Sequence, residues 1–94
     1  MSEFEQLSAF YEAIAEDNRI GAYHISLYIT LVRLRSHAGW QNMITVYRSL
    51  VMQEARMGRK TFNKCMNDLC EYGYLRYEPS TNPKGGCKVY FNKL

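Results

Sequence analysis

Gly58–Gly86, GRKTFNKCMNDLCEYGYLRYEPSTNPKGG, changes pattern twice, and those changes decide the fold. Phe62, Cys65, Met66 and Leu69 recur at three- and four-residue steps, so the spacing predicts an amphipathic helix over 59–72. Arg59, Lys60, Asn63, Lys64 and Asn67 lie away from its apolar stripe. Gly73 supplies a left-handed stop. From Tyr74 to Glu78 the apolar period drops to two, as in a strand. Pro79–Gly86 is too long for a tight hairpin turn. Cys87–Asn92 then returns, with Val89 and Phe91 on the face that meets Leu75 and Tyr77. The stretch reads as a helix followed by a projecting hairpin.

Upstream, Ile25–Gly39 is apolar nearly all round (Ile25, Leu27, Tyr28, Ile29, Leu31, Val32, Leu34), which predicts a central, mostly buried helix. The β-branched run Ile44–Tyr47 is too brief for a helix and reads as one short strand. Ser49 is placed to cap a short helix running to about Arg56, with Leu50, Val51 and Ala55 as its apolar face and Gly58 as its breaker. At the start of the chain, Phe4, Leu7, Tyr11, Ile14 and Ala15 predict an amphipathic helix over Ser2–Asp17, acidic on its outer face, with Gly21 as its stop. The fold class expected is mainly α with a small antiparallel sheet. It is read as a single domain over residues 1–94, an N-terminal helix over 1–20 added to a unit over 25–92.

Helix, short strand, helix, glycine turn, helix and two-stranded hairpin, in that order, resemble the winged helix-turn-helix family from Ile25 to about Phe91. The segment Gly58–Gly86 looks like the family's second helix-turn-helix helix, its terminal glycine, and the strand and wing that follow. Ile25–Val46, ISLYITLVRLRSHAGWQNMITV, is similar to the first helix and strand of small winged-helix proteins of bacterial conjugative and mobilisable elements and of phage replisome organisers. The resemblance implies a winged helix-turn-helix with an extra N-terminal helix. It also implies sequence-specific binding of double-stranded DNA, by a small transcriptional regulator or a replication or mobilisation accessory protein. The hairpin tip would follow the backbone or enter the minor groove.

Charge supports a polyanion partner. The net charge is only +3, but it is unevenly spread. Residues 1–32 carry Glu3, Glu5, Glu12, Glu16 and Asp17 against Arg19, a net of −4. Residues 33–64 carry seven Lys and Arg against Glu54, a net of +6; the remainder is +1. In the 59–72 helix the cations crowd the first two turns, where a helix-turn-helix meets the major groove. There they oppose the helix macrodipole, which a purely structural helix would avoid. Arg59, Asn63 and Asn67 are the base-reading candidates, since Asn pairs bidentately with adenine and Arg with guanine. Arg48, Ser49, Lys60, Thr61 and Lys64 are expected on phosphates, and Lys84 and Lys88 extend the surface into the hairpin. Eight Tyr, four Phe and one Trp could stack single-stranded nucleic acid, but Trp40, Phe62, Tyr72, Tyr77 and Phe91 fall at core positions; Tyr47 and Tyr90 stay open.

Other function classes find little in the sequence. The longest apolar run, Ile25–Val32, is eight residues, against about 20 for a bilayer crossing. The acidic start lacks the basic, apolar pattern of a secretory signal. Cys65, Cys70 and Cys87 leave one thiol unpaired in any disulfide scheme, and no fourth ligand completes a zinc set. A cytoplasmic location is expected, without cofactor, metal, membrane or small-molecule ligand. No phosphate-cradling glycine loop or catalytic Ser, His and Asp set has recognisable context, so an enzyme is not expected. The alternative is a winged-helix protein–protein interaction module. A homodimer through the N-terminal helix is a further expectation, because one short recognition helix reads few base pairs.

Overall fold

The computed structural model describes residues 2–82 and 85–94. Their elements are α1 (Glu3–Ile14), α2 (Ala22–His37), β1 (Met43–Val46), α3 (Arg48–Ala55), α4 (Arg59–Glu71), β2 (Leu75–Glu78) and β3 (Cys87–Phe91). The described chain is thus mainly helical, with a small antiparallel sheet. The strand order is β1-β3-β2, with β3 central. Leu75 pairs with Phe91 and Tyr77 with Val89, so the four share one face, as the period-two reading predicts, in a register that the structure supplies. β1 adds itself to the other side of β3, Ile44 opposite Val89 and Val46 opposite Cys87.

Everything is assembled on α2, whose Leu27, Tyr28, Leu31 and Val32 are fully buried. Below it, the α4 stripe of Phe62, Cys65, Met66 and Leu69 is buried to the last few per cent. Burying each large apolar side chain of that stripe contributes about 1.5–3 kcal/mol. The polar edge of α4 is joined to α2 by His24 Nε2 and Asp68 Oδ2, 2.8 Å apart. His24 Nδ1 accepts the Gly21 N–H at 2.9 Å, so the ring carries its proton on Nε2 and donates it to Asp68.

α1 is part of this core. Ser2 caps it, its Oγ accepting the Glu5 N–H at 3.1 Å, and Glu3 and Glu5 in the first turn suit the positive helix end. Phe10 is fully buried and stacks on Tyr28 with ring centroids 3.8 Å apart. Gln6 Nε2 donates to Tyr28 Oη at 2.6 Å, and Arg35 donates to Gln6 Oε1 at 3.1 Å.

Several boundaries and caps differ from the sequence reading, the start of α2 among them, at Ala22 rather than Ile25. α1 ends at Ile14, not Asp17, and Gly21 is the N-cap of α2 rather than a stop. The intervening turn is held by side chains: Asp17 takes the Arg19 guanidinium at 2.7 Å and the Tyr74 hydroxyl at 2.7 Å, while Arg19 lies 3.9 Å over the Tyr72 ring. α3 begins at Arg48, directly after the strand, so Tyr47 is the N-cap and Ser49 sits within the first turn without a capping bond. Leu50 is left exposed, and Met52 packs beside Val51 and Ala55 instead. α3 stops at Arg56, which is left-handed at φ 60°, so Gly58 serves as N-cap of α4 and not as the breaker.

Candidate functional site

The first turns of α3 and α4 approach each other where the hairpin returns toward β1. Between them lies an open groove of about 680 Å³ lined by Tyr47, Arg48, Ser49, Arg59, Asn63 and Gly85, with Met52 and Phe62 as its apolar floor. Four of the predicted contact residues therefore share one concave surface with the hairpin. Neither helix has a side-chain cap or an acidic residue in its first turn. Their leading N–H groups thus remain open to an outside acceptor, with Arg48 or Arg59 beside them.

Arg48 is half-buried and is the inner cation of the groove. Next to it the Tyr77 hydroxyl is buried without a hydrogen-bond partner. Burial pushes that phenol well above its usual range, with Arg48 acting in the opposite direction. Arg59 and Asn63, one turn apart on α4, are exposed. Tyr47, 52% exposed, forms the wall nearest the hairpin. The sequence left Tyr47 undecided; its signal was its place at the junction where β1 runs straight into α3.

The hairpin is fixed close to this wall. A Cβ on Gly86 would run into Thr45 Cγ2 and come within 3.7 Å of the Tyr47 ring, and one on Gly85 would meet Ser80 Oγ. At Gly86 a side chain would require Thr45 or the hairpin to move, so the close approach of the backbone here depends on glycine. Lys84 lies outside the described residues.

The remaining predicted residues sit elsewhere. Lys60, Lys64 and Asn67 are exposed along α4, on its crest beside Asn63 at 100° per residue. Lys64 is not a free cation: its Nζ donates to Asp68 Oδ2 at 2.8 Å. That pairing, with His24 second, holds the Asp68 carboxyl below its ordinary range and raises the Lys64 ammonium. Thr61 is half-buried on the opposite flank from Asn63. Lys88 is exposed and registers opposite Glu78 and Thr45. It shares the outer sheet face with Arg76, whose guanidinium lies 3.9 Å over the Tyr90 ring and 3.2 Å from Glu78. Tyr90 also donates to Glu78, at 3.2 Å.

The +6 segment is consequently divided. Arg35 is consumed internally: it donates to the Gln41 carbonyl at 2.8 Å and lies 4.8 Å over the Phe91 ring. Arg33 and Arg56 border a second groove between α2 and α3. Arg48, Arg59 and the neighbouring Lys60 are left for the first. Among the described residues no cluster of His, Cys, Asp and Glu could hold a metal ion, and no helix is long and apolar enough to cross a membrane. Cys65 and Cys87 are buried, and all three cysteines are free thiols.

Compared with known protein families, curated proteins and solved structures, the chain finds no match.

Proposed function

We propose that this chain binds double-stranded DNA sequence-specifically as a winged helix-turn-helix, serving a small transcriptional regulator or a replication or mobilisation accessory protein. The observation that carries the reading is the convergence of Arg48, Ser49, Arg59 and Asn63 with Gly85 of the hairpin on one groove. In this reading α3 and α4 are the helix-turn-helix pair, and the β2–β3 hairpin is the wing. α4 enters the major groove with Arg59 and Asn63 at base edges and the Lys60 and Asn67 crest following. Phosphates sit at the open start of α3, held by Arg48, Ser49 and the first-turn amides. Tyr47 adds a hydroxyl to the same phosphate track.

Every described cation assigned to this surface is at the start of a helix or on its crest, and the acidic α1 packs on α2 rather than over α4. Duplex binding should therefore weaken steeply with salt, log affinity falling with log salt at about −0.9 per phosphate neutralised. A protein–protein module, the other reading of the same fold, buries apolar area and lacks that slope. Fluorescence anisotropy on random-sequence and selected duplexes, over a salt series, separates the two.

A further inference from the structure

The outer face of α1 carries an apolar stripe. At 100° per residue Phe4, Ser8, Tyr11 and the C-cap Ala15 fall in one line, with Ser8 its one polar member; Glu5 and Glu12 run along one side of it, and Glu16 lies in the turn just beyond. All seven are exposed, Phe4 by 78% and Tyr11 by 49%. Tyr11 meets the edge of the Phe10 ring, centroids 6.1 Å apart, yet half of it stays in solvent, and an exposed aromatic stripe on a surface helix marks a contact to be made.

The second groove, about 590 Å³ between α2 and α3, is its chemical complement. Its floor is Ile25 and Ile29, both incompletely buried, and its rim carries Arg33 and Arg56, both exposed, with Glu54 the one acidic residue. The α2 face from Ala22 to Arg33 and the α1 stripe from Phe4 to Ala15 each span twelve residues, about 18 Å at 1.5 Å per residue. The aromatics meet the isoleucine floor, where the Ser26 and Thr30 hydroxyls are already bonded to the Ala55 and Ser26 carbonyls, glutamates face the two arginines, and the lengths agree.

We propose that copies of this chain associate head to tail, the Phe4 and Tyr11 stripe of one lying in the α2–α3 groove of the next. Donor and acceptor surfaces differ and belong to the same chain, so the contact is heterologous and propagates, closing only if its rotation allows. The acceptor groove also leaves the candidate nucleic-acid groove open. Glu54 lies on the side of α3 opposite to Arg48, Ser49 and Met52, so both grooves can be filled at once. The association does not depend on DNA binding, and it departs from the reciprocal pairing of N-terminal helices that the sequence suggests.

Sedimentation velocity on the chain alone, over a concentration series, tests this. The wild-type chain should grow past two copies. Phe4→Glu removes the donor stripe and Arg33→Glu with Arg56→Glu reverses the acceptor rim; each change is at an exposed position, and each variant should be a monomer with an unchanged circular dichroism melt. Mixed in equal amounts, the two variants should form a complex of two chains and no larger, because one retains the acceptor and the other the donor. Tyr11→Glu should repeat the Phe4→Glu result. The proposal is overturned if the wild-type chain stays monomeric at about 1 mM, or if the mixture does. It is equally overturned if the rim variant associates as the wild type does while Phe4→Glu does not, the outcome of reciprocal α1 pairing.

Discussion

Gly86 passes Thr45 with no room for a Cβ between them. This contact seats the hairpin on the junction where β1 becomes α3, and so brings Gly85 to the groove that Arg48 and Arg59 line. Gly86→Ala must push Thr45 or the hairpin aside. The expected cost is about 1–3 kcal/mol of stability, as for overpacking elsewhere, together with a several-fold weaker grip on duplex DNA. Urea unfolding and anisotropy on the same preparation check both. Full affinity with full stability would mean that the hairpin's position is irrelevant to binding.

Asp68 restrains the basic face of α4. It accepts from Lys64 and from His24 through one oxygen, each at 2.8 Å. Asp68→Asn keeps an acceptor for His24 but removes the negative charge and releases Lys64. Non-specific duplex binding should strengthen a few-fold, and the log–log salt slope should steepen by about one phosphate equivalent. An unchanged slope would show that Lys64 does not reach DNA.

Asp17 makes the turn after α1 acid-sensitive. The Arg19 guanidinium, with the Tyr74 hydroxyl second, holds its carboxyl well below the ordinary range. Burial, with the Asp17 carboxylate second, pushes the Tyr74 phenol up to about 12. A carboxyl depressed in the folded state stabilises the fold above its unfolded value near pH 4, and that stability is lost as pH falls toward the folded value. Asp17→Asn should therefore be less stable than the wild type at neutral pH, and the difference should shrink steadily below about pH 4. Denaturant melts across that range measure it; a gap independent of pH would assign the effect to hydrogen bonding alone.

Phe10 tests whether α1 belongs to the core. It is fully buried against Tyr28, and Phe10→Ala should cost about 3–5 kcal/mol. Calorimetry should show a single transition at a lower temperature. A separate melting of α1 with the rest untouched would contradict the packing described.

Helix and strand identities were legible because their residues obey one period at a time. The α4 stripe, the Gly73 stop and the facing of Leu75 with Phe91 each follow from spacing within a short window. Long-range partnership was not legible. Arg35 looked like any other member of a basic run, yet the Gln41 carbonyl, Gln6 and the Phe91 ring absorb it. Lys64 differs: its partner Asp68 is four residues on along the same helix, a spacing the sequence displays, and only the His24 contact to Asp68 is long-range. β1 reads as a lone strand because its partner β3 lies about 40 residues downstream. The helix over α3 ends where its spacing predicts, and only the role of Gly58 misled: Arg56 takes the left-handed conformation that glycine usually supplies, so Gly58 was free to begin α4.

The central claim is that Arg48 and Arg59 present one DNA-binding surface, and the direct measurement is the salt dependence of duplex binding by the wild type and by Arg48→Ala, Arg59→Ala and the double variant. Wild-type affinity should fall with salt at a log–log slope of about −2, for the phosphate contacts of Arg48 and Lys60. Arg48→Ala should flatten that slope by about one contact, Arg59→Ala should weaken binding of the selected duplex by about 1–3 kcal/mol at an unchanged slope, and the double variant should do both, with melting temperatures unchanged. A flat slope in the wild type, or variants that bind as the wild type does, would contradict it.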